Sequence, residues 1–313
     1  MRTDAPAISG APSGGRCYPR PVLDHVSKAA EPTILRARDG FPLAATFALP
    51  AGEPWGAALV APAMGVPRRH YAPLQAFFAR EGLASLALDY RGIGGSAPPR
   101  LRGFRATLHD WAELDLAAAL EALRARFSRL PLAYVGHSVG GQIFGLLPQP
   151  DVRAALFFAS QSGHPRHWRG ARRLLLASLW NGLLPLLAGA LGYLPMRAFG
   201  QGEDLPAGVA REWARWGRRR DYVLSYARPR GGLGFARWDG RLCAYGFTDD
   251  GYAPEAAVRA LVAMYERAQS ELRIVSPREL GVPAIGHFGW LRPSFEAPLW
   301  APALAFLRDA LRP

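Results

Sequence analysis

The sequence predicts an α/β fold in which a mostly parallel central sheet carries helices on both faces and a helical segment is inserted. Three observations predict this class. Short apolar runs alternate with stretches of helical spacing. Glycine-rich turns follow two of the apolar runs. The alternation stops between residues 163 and 237, which are rich in Trp, Arg, Leu and Gly. Strands that alternate with helices in this way are typical of a parallel sheet.

The predicted elements follow in chain order. Two strands, at residues 33–38 and 43–49, are joined across Asp39-Gly40, which is a hairpin signal. Helices with one apolar face are predicted at residues 71–81 and 108–127. Further apolar runs predict strands at residues 57–61, 84–88, 132–135, 152–159 and 241–246. The chain is therefore divided into a flexible leader at residues 1–30, a core at residues 31–162 and 238–313, and a helical cap at residues 163–237.

The net charge of +13 raises the question of a nucleic-acid partner. Lys28 is the only lysine, so the basic residues are almost all arginine, which resembles a genome composition bias. A dense run of arginines occurs at positions 215 and 218–220, but no nucleic-acid-binding motif accompanies it. We therefore predict no nucleic-acid partner. Attraction to an acidic partner or an anionic lipid surface fits the charge better.

The cysteines and the N-terminus indicate the compartment. Cys17 and Cys243 have neither metal-ligand spacing nor the pattern of a disulfide framework. The first 30 residues lack the apolar stretch of a secretory signal. We therefore expect a cytoplasmic protein without a metal or cofactor. The sequence gives no indication of the oligomeric state.

One apolar segment, residues 174–194, has about the length of a membrane span. It also contains Asn181, Pro185 and three glycines, and predicted strands lie on both sides of it. A true span would place those strands in different compartments. The segment is therefore predicted to form one or two helices, broken near Pro185, that pack over a pocket. Weak association with a membrane surface is left open.

The predicted nucleophile is Ser138, in the Gly-x-Ser-x-Gly motif at residues 136–140. The motif directly follows the apolar run at residues 132–135, and a serine in that setting lies on a strained strand-to-helix turn. Gly136 and Gly140 are expected there because side chains would collide with the strand and the helix. The N-terminus of the following helix directs its amides toward the same place.

A serine needs a base and an acid that orients the base, and in this sheet architecture the chain order is Ser, acid, His. The acid candidates, Asp249 and Asp250, follow the apolar run at residues 241–246, and Asp250 is preferred because it precedes Pro254 by four residues. Asp249 is the alternative acid, or it begins the following helix. The base candidate is His287, which lies between two glycines near the C-terminus.

An oxyanion hole and a substrate pocket complete the predicted site. The backbone amides of Met64, in the loop after the third strand, and of Val139 are predicted to hold the oxyanion. His137 is predicted to line the floor of the pocket. Apolar residues of the inserted segment, Trp180, Leu183 and Leu187, are predicted to contact a hydrophobic substrate.

The motifs GHSVGG (136–141), DYRGIGGS (89–96), FTDDGYAP (247–254) and IGHFG (285–289) together resemble the α/β-hydrolase fold superfamily, from about residue 33 to the C-terminus. The resemblance implies a catalytic triad of Ser138, Asp250 and His287. The chain is most similar to uncharacterised bacterial serine hydrolases with a Trp-rich helical cap, on the basis of residues 211–216. It departs from the superfamily in the oxyanion loop, where Pro62-Ala63 stands in place of the frequent His-Gly.

The sequence therefore predicts a serine hydrolase that cleaves an ester, thioester or amide of a hydrophobic small molecule through an acyl-enzyme. Two alternatives remain open. An acyltransferase would use the same acyl-enzyme and pass the acyl group to an alcohol or thiol. A non-catalytic ligand-binding protein could use the same fold.

Overall fold

The computed structural model describes residues 30–148 and 150–312. The predicted leader, with Cys17, lies outside the described residues except for Ala30, which begins the first strand. The strands and helices, in chain order, are β1 (Ala30–Arg36), β2 (Pro42–Ala48), β3 (Gly56–Ala61), α1 (Ala72–Arg80), β4 (Leu83–Leu88), α2 (Leu108–Asp110), α3 (Ala117–Arg126), β5 (Leu132–His137), α4 (Val139–Phe144), β6 (Ala154–Phe158), α5 (Gly170–Ser178), α6 (Leu184–Leu191), β7 (Tyr193–Leu194), β8 (Leu205–Pro206), α7 (Ala207–Gly217), α8 (Leu224–Ala227), α9 (Leu233–Arg237), β9 (Arg241–Phe247), α10 (Glu255–Val262), β10 (Gln269–Val275), α11 (Gly286–Gly289) and α12 (Ala301–Ala310).

Eight strands form one sheet in the order β1-β2-β4-β3-β5-β6-β9-β10. The pairs β1–β2 and β2–β4 are antiparallel, and every other neighbouring pair is parallel. The three adjacent strands β4, β3 and β5 are buried at every position. Such continuous burial is expected for parallel strands covered on both faces. The prediction of an α/β fold with a mostly parallel sheet is confirmed.

The predicted strands lie within a few residues of the observed ones, but the edge strand β10 was not predicted. Its sequence, QSELRIV, is polar at the start, and no position in the strand is fully buried. An edge strand has a neighbour on one side only, and here that neighbour is β9. The apolar pattern that indicates the inner strands is therefore missing from β10.

Besides Glu296–Trp300 before α12, two helical runs contain a wider, π-helical turn. One turn, Trp111–Leu116, joins α2 to α3 and places Asp115 in the interior, where its carboxylate binds Arg91 Nε at 2.7 Å. The other, Leu179–Leu183, joins α5 to α6 directly before Pro185. The predicted break near Pro185 does not occur, and helical residues run without interruption from Gly170 to Leu191. A wider turn accommodates proline, which has no backbone N–H to donate to the preceding turn.

The segment 163–237 is attached to the loops at the carboxyl end of the sheet. Glu203 N–H donates to Gly65 O at 2.8 Å, and the Glu203 carboxylate accepts from Gly94 N–H at 2.7 Å. On α7, the buried carboxylate of Glu212 accepts from Leu108 N–H at 2.7 Å and from His109. Hydrogen bonding to Glu212 raises the pKa of His109 above its usual value. These contacts hold the helical segment beside the loops that follow β3 and β4.

Candidate active site

The chain turns sharply at Ser138, between β5 and α4. β5 ends at His137 and α4 begins at Val139, so Ser138 alone makes the turn. Ser138 has φ 52° and ψ −113°, a combination that residues other than glycine rarely adopt. Its backbone N–H donates to Phe158 O on β6 at 3.0 Å, which fixes the turn to the sheet. The serine is therefore held in a strained conformation at the carboxyl end of the sheet.

The two glycines of the motif have no room for a side chain. A Cβ at Gly136 would lie 2.6 Å from Gly141 N, and a Cβ at Gly140 would lie 2.3 Å from Ala61 O. Real Cβ contacts are essentially never shorter than 3.0 Å. The steric reason predicted for Gly136 and Gly140 is confirmed, since α4 begins almost in contact with the end of β3.

We expect Gly140→Ala to lower the free energy of unfolding by about 1–3 kcal/mol, because the new methyl group meets a backbone oxygen that cannot rotate away. Urea unfolding measures the change. Gly182→Ala is the matched control, since no atom lies within 4 Å of a Cβ at that helical position. It is expected to raise stability by about 0.4–1 kcal/mol. Equal stability of wild type and Gly140→Ala would contradict the close approach of α4 and β3.

The two candidate acids have different partners. Asp250 Oδ2 accepts from His287 Nδ1 at 2.7 Å, and Asp250 Oδ1 accepts from the backbone N–H groups of Tyr252 and Ala253 at 2.7 and 3.1 Å. The Asp249 carboxylate instead accepts from the backbone N–H groups at residues 285 and 286, at 2.9–3.1 Å. Asp250 thus contacts the imidazole, whereas Asp249 holds the backbone just before it.

His287 lies in the short helix α11, and its side chain is nearly buried. Among the hydrogen bonds of the described residues, one joins His287 to Asp250 and none joins its imidazole to the Ser138 hydroxyl. Bonds of the latter kind are often long in enzymes without substrate and shorten when substrate binds. Ser138 is itself 7% exposed. Its neighbour His137 donates from Nε2 to the backbone oxygen of His287 at 2.9 Å, so the serine turn and the histidine loop are in direct contact.

His137, which is predicted to line the floor of a pocket, is not among the residues that line the cavity of the segment 163–237. Its side chain is buried, and burial lowers its pKa well below the usual value, so the ring is neutral. The Tyr71 hydroxyl accepts from Ala63 N–H at 2.8 Å and donates to His137 Nδ1 at 2.7 Å. With both ring nitrogens bonded, His137 connects the loop after β3, through Tyr71, to the loop that carries His287.

The loop after β3 lies beside the serine turn because β3 and β5 are adjacent, with Ala61 paired to Gly136. Val66 N–H donates to Ala63 O at 3.1 Å, and Gly65 has φ +66°, as a tight turn of this kind requires. Among the described residues, nothing accepts a hydrogen bond from the backbone N–H of Met64 or of Val139. The two amides predicted for the oxyanion hole therefore donate to no acceptor among the described residues.

A cavity of about 510 Å³ is lined mainly by residues of the segment 163–237. Trp180, Leu183 and Leu187, which are predicted to contact the substrate, are among the lining residues. Ser138 and His287 are not. The cavity adjoins His287 at Tyr252, which lines the cavity and whose ring centroid lies 5.3 Å from that of His287.

A second residue connects the cavity to the serine turn. Gln161 lines the cavity, and its amide oxygen accepts from Gln142 Nε2 at 3.2 Å, one helical turn beyond Ser138 on α4. Gln161 Nε2 also donates to Tyr252 O at 3.1 Å. Gln161 and Tyr252 thus link the lining of the cavity to the candidate catalytic groups.

Tyr71, Gln161 and Tyr252 are parts of the site that sequence reasoning missed. Tyr71 and His137 are 66 residues apart, and no local pattern indicates that they touch. For Tyr252 the only available signal is its place two residues after Asp250. Among residues 30–148 and 150–312, no group of three or more His, Cys, Asp or Glu side chains could hold a metal ion.

Comparisons with known proteins agree with this fold. The model of the family described as serine aminopeptidase, S33, matches residues 52–195. No curated protein matches the chain. Among solved structures, a soluble variant of monoglyceride lipase from Saccharomyces cerevisiae is 15% identical, with a TM-score of 0.66 over 95% of this chain and 99% of that one. A thermostable carboxyl esterase from Bacillus coagulans is 13% identical, with a TM-score of 0.63 over 91% of this chain and 100% of that one.

A hydrolase from Pseudomonas aeruginosa PA01 is 18% identical, with a TM-score of 0.58 over 88% of this chain and 98% of that one. At these identities the likeness concerns the fold. The family model covers β3, β4, β5 and the serine turn between β5 and α4, which are the elements that place Ser138 at the carboxyl end of the sheet. By its sheet order, its strained serine turn and these structural likenesses, the chain has the α/β-hydrolase fold.

Proposed function

We propose that the protein is a serine hydrolase that cleaves an ester, thioester or amide bond of a hydrophobic small molecule. The observation that carries the proposal is the buried Asp250–His287 pair, joined at 2.7 Å. The backbone oxygen of His287 also accepts from His137, the residue before the strained Ser138. A carboxylate that binds Nδ1 of a histidine orients the ring and leaves Nε2 as the base. A serine on a strained turn provides the nucleophile.

In the proposed mechanism, His287 Nε2 takes the proton of Ser138 as Oγ attacks the substrate carbonyl carbon. The carbonyl π bond opens, and its oxygen receives the negative charge beside the Met64 and Val139 amides, which stabilise it. The oxyanion collapses, the bond to the leaving group breaks, and His287 returns the proton to that group. Water then repeats the sequence on the acyl-enzyme, releasing the acid and restoring Ser138.

We further propose that the segment 163–237 is a cap that selects the acyl part of the substrate. Its cavity is walled mostly by leucine and tryptophan side chains and meets His287 at Tyr252. A straight acyl chain in the cavity would bury its methylene groups, whereas the scissile carbonyl would lie past Tyr252. Each buried methylene contributes about 0.8 kcal/mol, which corresponds to roughly fourfold in kcat/KM.

A series of nitrophenyl esters from acetate to decanoate tests this proposal. We expect hydrolysis of the whole series, with kcat/KM rising by up to about fourfold per methylene until the cavity is filled. Leu179→Trp narrows the cavity and is expected to remove the rise while leaving acetate hydrolysis unchanged. Leu186→Trp is the control, since Leu186 lies on the same helical run but does not line the cavity.

Failure to hydrolyse any ester, thioester or amide would contradict the proposed activity. A flat series in wild type would contradict the placement of the acyl chain but not the activity. An assay with added alcohol or thiol acceptors separates the hydrolase from the acyltransferase. If acyl transfer outran hydrolysis at low acceptor concentration, the acyltransferase would be the better description.

A further inference from the structure

The helical run Gly170–Leu191, here called the apolar helix, is exposed to an unusual degree. It is 22 residues long, and by length and composition it is the one helix among the described residues that could cross a membrane. Only 17% of its most apolar stretch is buried. Its three buried residues, Trp180, Leu184 and Ala188, recur every four positions and face the protein. The rest of the helix is exposed or only partly buried.

The exposed apolar residues are concentrated in one region. Seven large hydrophobic side chains are strongly exposed among the described residues. Four of them, Leu174, Leu175, Leu183 and Leu186, lie on the apolar helix, and two more, Phe199 and Tyr252, line the cavity beside it. Leu175 and Leu183 also line the cavity, so the cavity opens on this exposed face. Soluble proteins rarely expose large apolar patches unless the patch binds something.

The segment of the chain that contains the apolar helix has charged side chains of one sign only. Residues 152–202 include no Asp or Glu, although they include six arginines. Four of these arginines lie in the helix or just before it, are exposed, and form no ion pair with a carboxylate of any described residue: Arg166, Arg169, Arg172 and Arg173. An apolar helix surface with unpaired arginines at one end complements a lipid layer, in which anionic headgroups lie above apolar acyl chains.

Two other occupants fit the same face less well. A second copy of the chain, bound through the same face, would offer these arginines no carboxylate from residues 152–202, whereas an anionic lipid surface offers them phosphates. A membrane span would surround the helix with lipid, whereas its Trp180–Leu184–Ala188 stripe packs against α7. Charge and packing therefore favour a helix that lies on a lipid surface.

We propose that the apolar helix docks the protein onto anionic lipid membranes, with the mouth of the cavity facing the lipid. Leu174 and Leu186 enter the boundary between headgroups and acyl chains, and Arg169 and Arg173 contact lipid phosphates. The docking depends only on the exposure of the apolar side chains and on the charge of the arginines. The further consequence, that substrate enters the cavity directly from the lipid, rests on the proposed hydrolase function.

Co-sedimentation of the full chain with vesicles tests the docking. We expect binding to vesicles of phosphatidylcholine with 30% phosphatidylglycerol, on the order of tenfold weaker binding to pure phosphatidylcholine, and weaker binding as salt is raised. Leu174→Ser with Leu186→Ser should weaken binding to both vesicles by on the order of tenfold or more. Arg169→Gln with Arg173→Gln should weaken binding only to the anionic vesicles.

Ile34→Ser is the matched control, because Ile34 is the one strongly exposed large hydrophobic among the described residues that lies away from this face, on β1. It should bind like wild type. None of the substituted residues lines the cavity, so hydrolysis of a short soluble ester should stay at the wild-type rate in all variants. That assay shows that each variant is folded and reports on the proposed function separately from docking.

Three results would overturn the proposal. One is wild-type protein that stays in solution with both vesicles. Another is equal binding by the wild type and the leucine variant, or an equal loss in the Ile34→Ser control. The third is a dimer in light scattering that the leucine variant converts to a monomer without any vesicle binding, which would assign the face to a second copy of the chain.

Discussion

Ser138→Ala is expected to reduce kcat for ester hydrolysis by roughly 10⁴–10⁶-fold, as in other enzymes that lose a serine nucleophile. The stability of the variant should stay within about 0.5 kcal/mol of wild type. The hydroxyl makes no hydrogen bond to a described residue, and alanine keeps the Cβ that already tolerates φ 52°. Steady-state kinetics on a short nitrophenyl ester and urea unfolding measure the two effects.

Ser162→Ala is the control for this substitution. Ser162 is also a buried serine near the carboxyl end of the sheet, and its hydroxyl has no hydrogen-bond partner among the described residues. Its replacement should leave kcat near the wild-type value. A fluorophosphonate probe should label wild type and Ser162→Ala but not Ser138→Ala. Wild-type turnover by Ser138→Ala would refute the proposed mechanism, and an unlabelled, inactive wild type would favour a non-catalytic binding protein.

Asp250→Asn is expected to lower kcat on the order of 10⁴-fold, the size of effect seen when the acid of such a triad becomes an amide. In the wild type, Oδ1 of Asp250 accepts from two backbone N–H groups, at Tyr252 and Ala253. The amide oxygen of asparagine would keep these bonds, which turns the NH₂ group toward His287 Nδ1. Nδ1 would then accept instead of donate, the ring proton would move to Nε2, and Nε2 could no longer take the serine proton.

Asp249→Asn is the matched control at the neighbouring position. One oxygen remains to accept from the backbone N–H groups of Ile285 and Gly286, so the histidine loop keeps part of its support. We expect a loss of about 1 kcal/mol in stability, from replacing charge-assisted hydrogen bonds by neutral ones, and less than about a tenfold change in kcat. If Asp249→Asn lost activity on the larger scale and Asp250→Asn did not, the assignment of the acid would be reversed.

Much of the fold could be predicted because its signals are local. The strands β3, β4 and β5 are buried on both faces and therefore appear in the sequence as short continuous apolar runs. Glycine is required at positions 136 and 140 because a side chain there would collide with the start of α4 or with the end of β3. The edge strand β10 lacks such a signal because it is only partly covered.

The order of the candidate groups along the chain could also be predicted, since Ser138, Asp250 and His287 each follow an apolar run in a glycine-containing loop. Their hydrogen-bond partners could not be predicted from the sequence. Whether Asp249 or Asp250 contacts the imidazole depends on the direction of each side chain in one tight loop. The pocket prediction for His137 rests on its place beside the nucleophile, which gives no sign of its contacts with Tyr71 and with the backbone of His287, 150 residues away.

The sequence by itself determined the class of fold, the serine turn and the order of the groups around it, because spacing, glycine positions and apolar runs express local steric and hydrophobic requirements. Only the tertiary structure decided that Asp250 binds His287, that His137 joins two loops, and that the helix Gly170–Leu191 is exposed beside the mouth of a cavity. These features depend on contacts between distant segments. A leucine-rich stretch has the same sequence pattern whether the folded chain buries it or leaves it exposed.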